Sequence, residues 1–139
     1  MRRSLLIAAG LALLSTGHAM AHERIEITSK WGAVTATLAD NAAARAFAAL
    51  LPLTIEMGDH LRQEKTGNLP NALPQVARQL DFAAGTLGVW GADHFVIYYR
   101  NGRVPQPGIV VLGKVMGAVS IFDRPGPVTV QIRRVKKGA

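Results

Sequence analysis

The chain has 139 residues, a formal charge of +7 at neutral pH and no cysteine. Without cysteine, neither a disulfide framework nor a thiol nucleophile is available, so a hydrophobic core has to stabilise the fold. A basic segment near the C-terminus offers no stacking aromatic residues and no helix that would enter a groove, so we expect no nucleic-acid partner. Its residues are typical of a solvated strand end: Arg133, Arg134, Lys136 and Lys137.

The N-terminus has the pattern of a secretory signal. Arg2 and Arg3 precede an apolar run over residues 5–14, and Ala19-Met20-Ala21 suits signal peptidase. The run is about half the ~20 residues that a membrane-spanning helix needs, and no cysteine is present to carry a lipid anchor. We therefore expect cleavage after residue 21. This leaves one exported domain over residues 22–139, periplasmic or secreted, without a transmembrane segment.

The first elements after the signal are a hairpin and a helix. Apolar and polar residues alternate over 25–28 and again over 34–38, which predicts a β-hairpin with a glycine-containing turn. Asp40 and Asn41 offer a cap for a helix over 42–51. We expect Phe47 to lie on the buried face of that helix, and Pro52 to end it.

A third strand over 53–57 precedes a long polar segment, 58–81, which is interrupted by prolines and predicts a loop. A loop of this length in a compact domain is usually functional, disordered or hiding a short strand, and residues 63–69 are the candidate strand. Glu56, Asp59 and Glu64 alternate with basic residues here, which is typical of a solvated rim.

Four more alternating segments follow, over 86–90, 94–99, 109–115 and 128–132. Together with the uncertain strand this gives about eight strands and one or two short helices. Strands and helices do not alternate along the chain as they do in βαβ units. The sequence therefore predicts a mainly β fold, a closed antiparallel barrel. Gly85, Gly88 and Gly91 are expected within strands, as bends at barrel corners.

Four sequence segments resemble the small bacterial cyclophilin-like domain family. They are ATLADNAAARAFAALLPLTIEM, GNLPNALP, GTLGVWGADHFVIYYR and GIVVLGKV, and the resemblance covers nearly the whole exported part of the chain. It implies a cyclophilin-type β-barrel with short helices at its ends, and an activity that is undefined. True cyclophilins carry Phe-His-Arg and Gln-Gly-Gly-Asp segments around the substrate proline, and this sequence contains neither.

These observations favour a binding module for a small molecule or peptide, with no cofactor, over a periplasmic peptidyl-prolyl isomerase. An isomerase needs an apolar pocket and a cationic donor placed at the twisted amide. Arginines of the long loop and aromatic residues of 90–99, including Phe95 and Tyr99, provide candidates for either function. We expect the cleft to use Arg62, Arg78, Trp90, His94, Tyr98 and Arg100.

A copper site is the third alternative. Cleavage after residue 21 would leave the amine and imidazole of His22 free to chelate Cu(II). Such a site needs a further ligand, and His60 and His94 are the other histidines of the exported part. Nothing in the sequence brings them to the N-terminus, so no metal site is expected.

Overall fold

The computed structural model describes residues 23–136, so the predicted signal peptide and His22 lie outside the described residues. The described part forms ten strands and one α-helix. In chain order these are β1 (Arg24–Ser29), β2 (Gly32–Leu38), α1 (Ala42–Ala49), β3 (Leu53–His60), β4 (Glu64–Asn68), β5 (Asp81–Phe82), β6 (Thr86–Trp90), β7 (His94–Tyr98), β8 (Gly102–Arg103), β9 (Val110–Met116) and β10 (Val128–Arg134).

Eight strands close into an antiparallel barrel in the order β1-β10-β3-β4-β7-β6-β9-β2, and β5 pairs with β8 outside it. Closure leaves no exposed sheet edge in the barrel. The predicted mainly β, eight-stranded barrel is therefore confirmed, with α1 and a 3-10 turn over Val119–Phe122 as its short helices.

The segment 58–81 differs from the expected loop. β3 continues to His60, and β4 is the strand that was suspected within 63–69. Some inward positions of these strands are charged or lack a side chain, namely Asp59, Lys65 and Gly67, and this conceals the alternation in the sequence. The β3–β4 turn consists of Leu61, Arg62 and Gln63, and the first two lie in the left-handed backbone region with φ of 55° and 51°.

Helix α1 closes one end of the barrel, which we call the helix end. The Oδ1 atom of Asn41 accepts the backbone N–H of Ala44 at 2.8 Å, so Asn41 is the N-cap. Phe47 is fully buried and stacks on Phe95 with ring centroids 5.2 Å apart. The helix ends at Ala49, two residues before the predicted end, because a residue that precedes proline avoids helical backbone angles.

The opposite end, the loop end, is closed by the 3-10 turn, whose Phe122 is fully buried in the barrel core. The glycine prediction holds only for Gly88, which lies within β6 where the β6–β9 register shifts at a bulge. Gly85 and Gly91 lie just outside β6, so placing all three within strands was wrong. Both have positive φ values, which side chains rarely adopt, and both belong to turns.

Strand β7 is buried on both faces. Phe95 and Ile97 point into the barrel core, whereas Val96 and Tyr98 belong to a second cluster on the outer face. There β5 and β8 cover the barrel, and Phe82 stacks on Tyr98 with a centroid distance of 3.7 Å. Within residues 23–136, no helix is both long and apolar enough to span a membrane.

Candidate functional site

The six residues expected to form one cleft occupy three places. Trp90 and His94 line a cavity on the outer face of the barrel, and Tyr98 is buried in the outer cluster beside it. Arg62 and Arg100 meet at the loop end, where both contact Asp123. The remaining residue, Arg78, donates to the backbone oxygens of residues 91 and 108 and to the side chain of residue 75.

At the loop end, Arg62 connects an aromatic hydroxyl to two carboxylates. It donates to the Tyr99 hydroxyl at 2.6 Å and to Asp123 at 2.8 Å, and Asp123 also accepts from Arg100 at 3.1 Å. The Tyr99 hydroxyl in turn donates to Asp59. The arginines are thus engaged with the protein's own acceptors, and we call this group, together with Lys65, the loop-end cluster.

Lys65 is fully buried at the centre of the loop-end cluster. Its ammonium donates to Asp59 at 2.8 Å and to the backbone oxygens of Arg124 and Gly126. Burial alone would raise the pKa of Asp59, but hydrogen bonds from Lys65 and Tyr99 and the nearby positive charges hold it below its usual value. These contacts fasten the segment 123–126 across the barrel end, which is a structural role.

The outer cavity is lined by His60, Glu64, Thr66, Trp90 and His94 and has a volume of about 210 Å³. Strand pairing brings these residues together, because His60 pairs with Glu64 and Trp90 pairs with His94. Drug-sized ligands usually occupy pockets of about 300–1,000 Å³. This cavity therefore suits a smaller ligand.

Two polar groups of the outer cavity are buried, the Glu64 carboxylate and the Thr66 hydroxyl. Glu64 is only 2% exposed, and its Oε1 accepts the Gln63 side-chain N–H at 2.7 Å and lies 3.6 Å from Nδ1 of His60. The Thr66 hydroxyl has no hydrogen-bond partner among the residues that the structure describes. The expectation of a solvated rim was wrong for Glu64, and for Asp59, because both carboxylates lie on strands of the barrel itself and are largely buried.

Gly58 has no side chain, and this leaves space beside Thr66. Gly58 pairs with Thr66 across β3 and β4, and a Cβ atom at Gly58 would meet no other atom within 4 Å. On the other side Thr66 pairs with Val96, whose partner across β6 is Gly88. Small residues in this row of the sheet therefore leave a recess on the outer face.

The Tyr98 hydroxyl is a second buried polar group without a hydrogen-bond partner among the described residues. The indole of nearby Trp90 lowers the pKa of this hydroxyl slightly, but no contact between the two groups meets the geometry of a hydrogen bond. Burial, followed by the charge of nearby Glu64, raises the pKa of Tyr98, so the hydroxyl keeps its proton at neutral pH. Tyr98 is thus a neutral donor that lies close to a carboxylate.

Three other hollows lack a buried charged side chain. The groove of about 500 Å³ along β2, β6 and β9 has the exposed Lys114 as its one charged lining residue. The hollows at Lys30 and at Lys136 are lined by exposed or partly exposed charged residues. Within the described part of the chain, no group of three or more histidine and acidic residues could hold a metal ion.

The model of the cyclophilin-like family matches residues 27–133. The chain belongs to the cyclophilin-like family. Its barrel is also similar to the solution structure of a hypothetical protein from Archaeoglobus fulgidus, with a TM-score of 0.65 and 15% sequence identity. That match covers 86% of this chain and 100% of the archaeal chain, and at this identity it supports the fold alone. No curated protein matches the sequence.

In this cyclophilin-like barrel, sequence reasoning missed Glu64 and Thr66 as cavity residues and considered His60 only as a possible copper ligand. Their signal was present once β4 was taken as a strand, because Glu64 and Thr66 share one face under the two-residue alternation. The same alternation divides the expected aromatic residues between the two faces of the sheet. Trp90 and Tyr98 face outward, whereas Phe95 and Tyr99 belong to the barrel core.

Proposed function

We propose that this cyclophilin-like domain is an exported binding module that holds a small ligand in the outer cavity. The observation that carries the proposal is the unpartnered hydroxyl of Thr66 in a recess that also holds the buried carboxylate of Glu64. A buried polar group left without a partner costs about 1–3 kcal/mol. A ligand that bonds to Thr66 would remove that cost, and Trp90 provides an apolar surface beside it.

Two further observations support this proposal. The lining of the outer cavity contains no arginine or lysine, which favours binding over proline isomerisation because no permanently cationic donor lies at the apolar surface. The secretory pattern of residues 1–21 supports export to the periplasm or the medium.

The test is a fragment screen by ¹H–¹⁵N NMR against mixtures of small amines, alcohols and carboxylic acids. We expect bound fragments to shift the signals of the Trp90 indole and the Thr66 and His94 amides. Gly58→Leu, which fills the recess, should abolish these shifts, whereas Ala33→Leu adds the same side chain at an exposed strand position and should preserve them. Fragments that bind only elsewhere, with shifts that Gly58→Leu leaves unchanged, would contradict the proposal.

A further inference from the structure

The local charge of the outer cavity is opposite to that of the whole molecule. The chain is strongly basic, yet no lysine or arginine among residues 23–136 forms an ion pair with Glu64. Its charged partner is His60, which is 53% exposed and carries a charge only when protonated. Among the described residues, Glu64 is therefore a buried carboxylate without a permanently charged cation beside it.

The hydrogen bonds of Glu64 also leave capacity for a ligand. A carboxylate accepts about four hydrogen bonds, and among the described residues the Glu64 side chain accepts one, from the Gln63 side chain. Buried carboxylates are costly unless they are paired and hydrogen-bonded. A donor that enters the cavity and carries a positive charge would satisfy both requirements.

The remaining lining residues fit the other parts of such a ligand. Trp90 offers an aromatic surface, on which both apolar groups and the carbon atoms next to a cation are stabilised. The Thr66 hydroxyl offers an oxygen acceptor for a second N–H. Nδ1 of His94 lies 2.8 Å from Oδ1 of Asn68. Because an amide oxygen only accepts, a neutral ring carries its proton on Nδ1, which leaves Nε2 as an acceptor.

We infer that the ligand of the outer cavity is a small organic cation, a protonated primary amine whose ammonium group pairs with Glu64 while its apolar body lies on Trp90. This inference rests on the proposed function, since it names the ligand class of the same site. The amine can belong to a free small molecule or to the lysine side chain of a peptide, because both present the same ammonium group on an apolar stem.

The experiment compares three probes of similar shape and different charge: phenethylamine, 2-phenylethanol and 3-phenylpropanoate. Binding is followed by NMR shifts of the Trp90 indole at about pH 7.5, where an aliphatic amine is protonated. We expect the unmodified protein to bind the amine most tightly and the carboxylate least. A capped Gly-Lys-Gly peptide in a fourth titration distinguishes a peptide source from a free amine.

Glu64→Gln keeps the shape of the side chain and removes its charge. It should weaken amine binding by about tenfold to a hundredfold, the range expected for a hydrogen bond to a charged group, and leave 2-phenylethanol nearly unchanged. Glu56→Gln is the matched control, since Glu56 is an exposed carboxylate on β3 that lines a different hollow.

The outcomes separate the two proposals. If the alcohol binds in the cavity as tightly as the amine, or if Glu64→Gln has no effect on amine binding, the cation inference is wrong and the cavity remains a binding site. If none of the probes and none of the screened fragments shifts the Trp90 indole, the proposed function itself is overturned. The comparison among probes uses the unmodified protein, so it decides the inference even if Glu64→Gln folds poorly.

Discussion

At the residue scale, the β3–β4 turn holds an unfavourable side chain in an unfavourable conformation. Leu61 has a φ of 55° and is 76% exposed, so it has the backbone cost of the left-handed region and gains little from burial. That conformation costs about 1–2 kcal/mol per residue for most L-amino acids, and asparagine tolerates it best after glycine. The sequence of this turn is therefore far from the most stable one.

We predict that Leu61→Asn raises the free energy of unfolding by about 0.5–1 kcal/mol, as measured by urea denaturation. Met116→Asn is the control, because Met116 is also an exposed apolar residue but lies in β9, without a positive φ. It should be neutral or destabilising. A loss of stability in Leu61→Asn would show that the Leu61 side chain makes a contribution that its exposure conceals.

At the scale of elements, the two ends of the barrel are closed by different forces. Helix α1 closes the helix end by burying apolar side chains, and Phe47 is the largest of them. Phe47→Ala should lower the free energy of unfolding by about 3–5 kcal/mol, the usual cost of removing a buried aromatic ring. Arg45→Ala on the exposed face of α1 should change it by less than about 0.5 kcal/mol. If both substitutions changed the free energy of unfolding by similarly small amounts, α1 would not contribute its Phe47 face to the core.

The loop end depends on charge, and its stability should therefore depend on pH. The pKa of Asp123 is held below its usual value by its hydrogen bond from Arg100 and then by that from Arg62, and that of Asp59 is lowered as well. A carboxyl group with a lowered pKa in the folded state stabilises the fold fully above its unfolded pKa, near 3.8. That stabilisation is lost as the pH falls through the folded values.

We predict that the free energy of unfolding decreases between about pH 5 and about pH 2.5, and that Asp59→Asn makes this decrease shallower. The variant should be less stable than the original protein at about pH 6, and the difference should shrink in acid. Asp40→Asn serves as the control, because its carboxylate forms a largely exposed ion pair with Arg45 at the helix end. An unchanged acid profile in Asp59→Asn would exclude the loop-end cluster as the cause.

At the scale of the whole molecule, we propose that export removes the first 21 residues. The chain should then begin at His22, two residues before β1, and its formal charge should be +5 after the loss of Arg2 and Arg3. Expression in a bacterium with a periplasm, followed by mass spectrometry of the envelope fraction, measures the N-terminus. Ala21→Lys, which disturbs the cleavage site, should give a longer product. A fully exported chain that retains Met1 would contradict the prediction.

The fold was predictable from the sequence to a larger extent than the site. Period-two alternation and short apolar runs located seven of the barrel strands directly, because their inward residues are apolar. It was weak in β4, where the inward Lys65 is charged and the outward Glu64 is buried, so both positions oppose the usual pattern. The cavity depends on cross-strand pairing and on the absent side chain of Gly58, and a one-dimensional pattern contains neither.

Burial of β7 on both faces has a consequence for the chain before it folds. Such a strand has to be apolar without interruption, and residues 95–99 form five consecutive β-favouring residues with no charge and no proline. A segment of that kind is also suited to stacking with copies of itself in cross-β aggregates. Arg100 directly follows it and acts as a charged gatekeeper. An exported chain that crosses a membrane unfolded would expose this segment, so closure of the barrel around β7 is the step that protects it from self-association.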